Sequence, residues 1–162
     1  MQELLYIKNI YSQKIYKPTK TQDNQIKIDG IIDSLEWVNA IKIELDNETE
    51  PGYNIKPIVK TVGYIIYSDN NIYLRFDAET KETVRASIRK RDDIGIFNDD
   101  VVGFDFDTYG DGRNNLFIGS NPYGSQVDVR ILNNIREEDR YDLSYDIEYE
   151  SSGKILENFY HV

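Results

Sequence analysis

Three aspartates, Asp105, Asp107 and Asp111, fall within one short stretch, Phe104-Asp105-Phe106-Asp107-Thr108-Tyr109-Gly110-Asp111-Gly112. A hard cation such as calcium wants several oxygens converging on one point, and this is the densest local supply of carboxylates with turn residues between them. The spacing is not that of an EF-hand. Counting from Asp105, the twelfth position is Leu116, and from Asp107 it is Ile118, so no bidentate glutamate closes either loop. Asp and Gly are also what a tight turn requires for its own geometry. Asp105, Asp107 and Asp111 are therefore the candidate metal ligands, with a plain acidic turn as the competing reading.

A second constellation suits the holding of hydroxyls. Arg89-Lys90-Arg91 runs into Asp92-Asp93, and Asn121 lies in Asn121-Pro122-Tyr123-Gly124. Sugars stack on flat aromatic rings and accept or donate paired hydrogen bonds to carboxylates, amides and guanidinium groups. Tyr109 and Tyr123 sit in turns at the two ends of a strand, and Tyr53 in a long loop. Arg91, Asp92, Tyr109, Asn121 and Tyr123 are the candidate ligand-binding residues. The competing readings are a solvated charge cluster, each pair worth about 0–1 kcal/mol, and tyrosines that simply suit a half-wet sheet.

Catalytic chemistry finds little support. With 29 acidic residues, carboxylate pairs arise by chance, so pairing alone does not indicate glycoside hydrolysis. The only histidine, His161, lies next to the last residue, which argues against a Ser-His-Asp arrangement. Haem would have only Met1 and His161 as axial ligands, both terminal. There is no cysteine and no Gly-rich phosphate loop. A non-catalytic protein is expected. The net charge of −10 repels phosphate backbones and anionic bilayers, so nucleic acid is not expected, and the longest apolar runs are only a few residues, so direct membrane insertion is not expected. The first twenty residues, MQELLYIKNIYSQKIYKPTK, contain no apolar h-region, so no signal peptide is expected in this chain.

The elements that must position these groups are strands. In Val101–Asp107, Val102, Phe104 and Phe106 alternate with Gly103, Asp105 and Asp107, the period of a half-buried strand. Asn115–Ser120 returns across Tyr109–Gly112 as its hairpin partner. Val59–Tyr67 and Ile72–Ala78 form a second hairpin across Ser68–Asn71, with Ile72, Leu74 and Phe76 on one face and Tyr73, Arg75 and Asp77 on the other. Further strands are expected within Glu3–Lys17, at Ile26–Ile28, Ile41–Leu45, Val84–Lys90 (Val84, Ala86 and Ile88 inward) and Gln126–Leu132. Tyr141–Glu150 and Lys154–Val162 are expected to pair around Ser151-Ser152-Gly153. A single helical turn is expected near residues 33–38, capped by Asp33 or Ser34. The length fits one domain, read as N-terminal strands and connector over 1–24 and a sandwich over 25–162. The fold class is all-β, an antiparallel β-sandwich of immunoglobulin or jelly-roll type.

Ile28-Asp29-Gly30, followed by Asp33 and Trp37, resembles the opening motif of the family 9 carbohydrate-binding module superfamily. Ser68-Asp69-Asn70-Asn71-Ile72-Tyr73-Leu74 is similar to its acidic turn and aromatic strand. Arg91-Asp92-Asp93, Asp99-Asp100, Gly103, Asp107–Asp111, Asn121–Gly124 and Asp128 resemble one branch of it, a domain at the N-terminus of large bacterial surface proteins that precedes an outer-membrane barrel. The resemblance covers roughly Gln25 to Val162. It implies a β-sandwich, a carbohydrate-binding or carbohydrate-binding-derived role, structural calcium, and an extracellular, periplasmic or cell-surface setting. Two departures stand out. The only tryptophan, Trp37, falls on the opening motif, so the tryptophan pair that clamps sugars is missing. Family members also continue past the position of Val162 into a further strand. The sandwich is thus expected to lack an edge strand or to be completed by its N-terminal strands, a partner strand or a downstream domain. A structural or assembly module with no glycan ligand is the alternative.

Overall fold

A computed structural model of the chain describes residues 15–49, 51–133, 135–136 and 139–162. The described residues form an all-β body of two packed antiparallel sheets, as expected. The first sheet holds β1 (Thr19–Lys20), β2 (Ile41–Leu45), β3 (Thr61–Tyr67), β4 (Ile72–Glu79), β9 (Lys154–Leu156) and β10 (Phe159–His161). Its order is β1-β3-β4-β10-β9. β1 and β2 share one edge of β3, with β2 opposite Thr61–Ile65 and the two-residue β1 running parallel beside Ile66 and Tyr67. The second sheet is a meander of β5 (Val102–Asp107), β6 (Asn114–Ser120), β7 (Gln126–Leu132) and β8 (Tyr141–Asp142).

Alternation assigns the faces. Phe104 pairs with Ile118 and Phe106 with Leu116, so these four side chains share one face of the second sheet. In the first sheet Gly63 pairs with Phe76 and Ile65 with Leu74. The two faces meet where the Phe76 and Phe104 rings stand 5.0 Å apart. Gly63 lies against both rings, and a Cβ there would reach ordinary van der Waals contact, 3.4 Å from Phe76 and 3.5 Å from Phe104. The opposite faces are also covered. Ile66 and Tyr73 bury Ile26, with Trp37 and Ala40 packed against them. Val127 and Val129 bury Ile96, with Val101, Phe117 and Leu143 alongside. Ile96 belongs to the 3-10 helix Ile94–Asn98, whose cap Asp93 accepts the Gly95 N–H.

Four expectations change. Ile26–Ile28 is not a strand: Asp29 and the left-handed Gly30 turn the chain before a ladder can form, and Ile26 becomes a plug. Residues 34–39 are a run of turns, not a helix; Asp33 caps it by accepting the Leu35 N–H at 2.8 Å. Val84–Lys90 is extended but pairs with no strand, and Ile88 is 88% exposed where an inward position was expected. Tyr141–Glu150 does not pair with Lys154–Val162. β8 joins β7, while β9 and β10 form their own hairpin, and β10 docks on β4. The strands expected within Glu3–Lys17 fall almost wholly outside the described residues.

Candidate functional site

The two extended segments without ladders are held by side chains. Along residues 84–91, Asp100 Oδ2 accepts the Arg85 N–H at 2.9 Å and Asp99 Oδ2 accepts the Ser87 N–H at 3.1 Å. Ser125 Oγ accepts the Arg89 N–H at 2.9 Å, and Asn121 Nδ2 donates to the Ser87 carbonyl at 2.7 Å. Along residues 143–150, Asp128 Oδ2 accepts the Ile147 N–H at 2.7 Å and Gln126 Nε2 donates to the Tyr149 carbonyl at 2.6 Å. Carboxylate and amide groups stand where a neighbouring strand would otherwise stand, and so satisfy main-chain groups that burial would leave orphaned.

Asn121 is the centre of the first set and is completely buried. Its Nδ2 also donates to Asp99 at 2.9 Å, and its Oδ1 accepts the N–H groups of Tyr123 and Ser125, both at 3.0 Å. All four hydrogen-bonding positions of the amide are thereby used. Asp99 in turn receives Arg89 Nε at 2.8 Å and Nη2 at 3.0 Å. These guanidinium bonds, assisted by Asn121 and the Ser87 N–H, hold the Asp99 carboxyl down at about 2.

Arg91 is the centre of the second set. Its Nη2 lies 2.8 Å from Asp128 and 2.9 Å from Asp146, and its Nε lies 3.4 Å from Asp92. The same group donates to the Ile147 carbonyl, and the guanidinium stands 5.2 Å from the Tyr149 ring centre. Asp128 has no exposed surface, and desolvation raises its carboxyl above the ordinary range, although the Ile147 N–H and Arg91 pull the other way. Asp92 adopts a left-handed φ of 57°, which aspartate tolerates, and its carboxylate accepts the Asp128 N–H at 3.2 Å. Burial pushes the Tyr149 hydroxyl up, and it donates to the carbonyls of Gly119 and Val127.

Among the described residues, Asp92, Asp128 and Asp146 are the trio whose carboxylate oxygens approach within 4.8 Å of one another. The guanidinium of Arg91 already stands against all three. Asp105, Asp107 and Asp111 do not converge. Asp107 turns both oxygens to the turn, accepting the Asp111 N–H at 3.2 Å and the Gly112 N–H at 2.8 Å, and these bonds lower its carboxyl. Asp111 accepts the Arg113 N–H at 2.8 Å, and Asp105 accepts Asn115 Nδ2 at 3.3 Å. The donor set is that of a fastened turn, which does not fit a shared calcium.

The ligand-binding candidates separate in the same way. Asn121 is interior, Arg91 and Asp92 are half-buried within the ionic centre, and Tyr109 and Tyr123 are 79% and 54% exposed. The two tyrosines lie at opposite ends of β6, roughly 20 Å apart, so they cannot stack on one sugar ring. Tyr109 sits in the turn with Gly110 and Gly112. Tyr123 is carried on a turn that Asn121 fixes from inside. Asp128, Asp146 and Gln126 were not among the candidates. The sequence held no signal for Asp128: alternation in β7 makes Val127, Val129 and Ile131 the apolar face and Asp128 an outward one, and only the pairing with Ile118 turns Asp128 toward the other sheet.

A cavity of about 440 Å³ opens between the sheets, with Leu74 and Phe76 on one wall, Phe106 and Ile118 on the other, and Trp37 at the rim. His161 also lines it, with Nε2 hydrogen-bonded to the Gly30 carbonyl at 2.8 Å, so the histidine serves as a latch between β10 and the covering loop. No helix among the described residues is long and apolar enough to cross a membrane. Set against protein-family models, curated proteins and solved structures, the chain matches none of them.

Proposed function

We propose that the protein is a non-catalytic carbohydrate-binding module, or one derived from such a module, belonging to a bacterial surface or secreted protein. The observation that supports this reading is the β6–β7 turn. Tyr123 projects from a backbone locked by a buried, fully bonded Asn121 and by Gly124, whose φ of 80° and close approach to Ser151 admit no side chain. A rigid, exposed ring loses little freedom on stacking against a sugar face. The half-exposed Asp92 lies where β7 begins, at the same end of the sheet, with its N–H donated to the Gln126 carbonyl at 3.2 Å. Its carboxylate supplies the hydroxyl-binding character that a bare tyrosine lacks. In this reading Arg91 and Asn121 support the site and do not touch the ligand.

The test is a glycan array followed by calorimetric titration with soluble oligosaccharides. Tyr123→Ala should weaken binding by about tenfold or more, an effect of roughly 1.4 kcal/mol, while Tyr109→Ala leaves it unchanged. Flat responses across soluble and insoluble glycans would favour the second reading, a structural or assembly module. That reading has its own support: the polar residues expected to meet a ligand are spent inside the fold, while Ile88, Ile94 and Phe97 stand exposed.

A further inference from the structure

The extended segment 84–91 is bonded along one edge only. The N–H groups of Arg85, Ser87 and Arg89 meet Asp100, Asp99 and Ser125, and the carbonyls of Arg85 and Ser87 meet the Asp100 N–H and the Asn121 amide. Along an extended chain the N–H and C=O of one residue point to the same side, and the side alternates. Val84, Ala86 and Ile88 therefore turn theirs to the opposite side, where nothing among the described residues bonds them. Prolines, bulges and free charges guard natural edges. From Val84 to Arg89 there is no proline, and the two charges, Arg85 and Arg89, are turned to Asp100 and Asp99. The side chains of Val84, Ala86 and Ile88 share one face with Lys90, and Glu82 stands just before the run. Glu82 and Lys90 are exposed, and neither has an ion pair among the described residues.

We propose that this edge pairs with the same edge of a second copy of the chain, antiparallel and centred on Ala86, in a two-fold dimer. Val84 then stands opposite Ile88 of the second copy, and the 88% exposed Ile88 opposite its Val84. Lys90 meets Glu82 of the second copy, and the symmetry repeats the ion pair at the other end. About six main-chain hydrogen bonds close, two for each pair that faces across the edge. On the other face Arg85 lies opposite Ser87, so no like charges meet near the axis. Centring the pair on Ile88 instead would set Ala86 opposite Lys90 and lose both the Val–Ile contacts and the ion pairs, so one register is favoured. A strand of unrelated sequence can bond the same main chain, but the order acidic, apolar, small, apolar, basic is its own complement when reversed. That self-complementarity is what points to a second copy. The net charge of −10 on each copy opposes association, but at about 0.15 M salt screening confines it to roughly 8 Å. The proposal stands whether or not the protein holds a glycan.

The test is sedimentation equilibrium of the full chain at about 0.15 M salt, from about 10 μM to about 1 mM, a range suited to a small interface. The weight-average mass should rise from that of one chain toward that of two. Ile88→Lys should weaken association by about tenfold or more. Glu82→Lys and Lys90→Glu, made singly, set like charges opposite each other and should each weaken it by about fivefold or more. The double swap recreates the ion pairs in reverse and should restore association to the wild-type level, an outcome that a purely structural role for either residue would not produce. A single-chain mass across the whole range, or an association that the single swaps leave unchanged, would overturn the proposal. The swaps lie at exposed positions, so they decide the matter even if Ile88→Lys fails to fold.

Discussion

Asp99 shows how far a single side chain can be committed to the fold. Its carboxyl is half of a bidentate pair with Arg89, caps the Ser87 N–H and meets the Asn121 amide. The folded-state value of about 2 lies below the ordinary 3.8, so the ionised form is favoured by folding. The stability it contributes is fully present above the ordinary value and is lost as pH falls through the folded value. That difference corresponds to about 2 kcal/mol. Denaturant midpoints measured from pH 5 to pH 2 should fall for the wild type, and the fall should be shallower in Asp99→Asn. Asp128 acts in the opposite sense. Its carboxyl is raised by burial, so its ionised form costs stability as pH rises through the carboxylate range. Parallel acid limbs for the wild type and Asp99→Asn would contradict this role for Asp99.

At the scale of elements, close approach depends on glycine. Gly103 and Gly119 face each other across β5 and β6, and the Phe117 ring lies over both. A Cβ on Gly103 would come within 2.5 Å of the Ile118 carbonyl and 2.7 Å of that ring. The carbonyl is backbone and cannot swing aside. Gly103→Ala should therefore cost about 1–3 kcal/mol in urea unfolding, the usual effect of overpacking. Gly110→Ala meets nothing within 4 Å, so its cost should come only from the left-handed φ of 65°. Equal stability of Gly103→Ala and the wild type would show that β5 and β6 can separate to admit the methyl. Segments 84–91 and 143–150 are further elements of the sheet in all but hydrogen-bond pattern. Their rungs are side chains: Asp99 and Asp100 from the loop after the 3-10 helix, Asn121 and Ser125 from the β6–β7 turn, and Gln126 and Asp128 from β7.

For the whole molecule, Arg91 joins three pieces that lie far apart in sequence. It reaches from the 84–93 segment to Asp128 on β7 and to Asp146 and the Ile147 carbonyl in the last extended segment. Arg91→Met keeps much of the apolar stem but leaves Asp128 buried without its cation. The expected loss is about 3–5 kcal/mol by chemical denaturation, against at most about 1 kcal/mol for the exposed Arg136→Met. Converting Asp128 to Asn in the Arg91→Met background should restore part of the loss. No restoration would mean that the guanidinium acts through packing on Tyr149 and not through charge.

The amino-acid sequence by itself determined most of the strands: β2, β4, β5 and β7 appear where the period of two placed them, because a side chain's face is a local property of an extended backbone, and β3 and β6 where β-rich composition and the hairpin turns placed them. It also determined the acidic turn, since Asp107, Asp111 and the two glycines bond within their own stretch. The tertiary structure alone decided what lies across from what. Whether Val84–Lys90 found a strand or a row of side chains and whether Arg91 met a sugar or Asp128 both depend on groups tens of residues away. Local periodicity records which face is apolar. It carries no term for the partner that will satisfy an edge, and that partner is chosen only when distant hydrogen-bonding groups are brought out of water together.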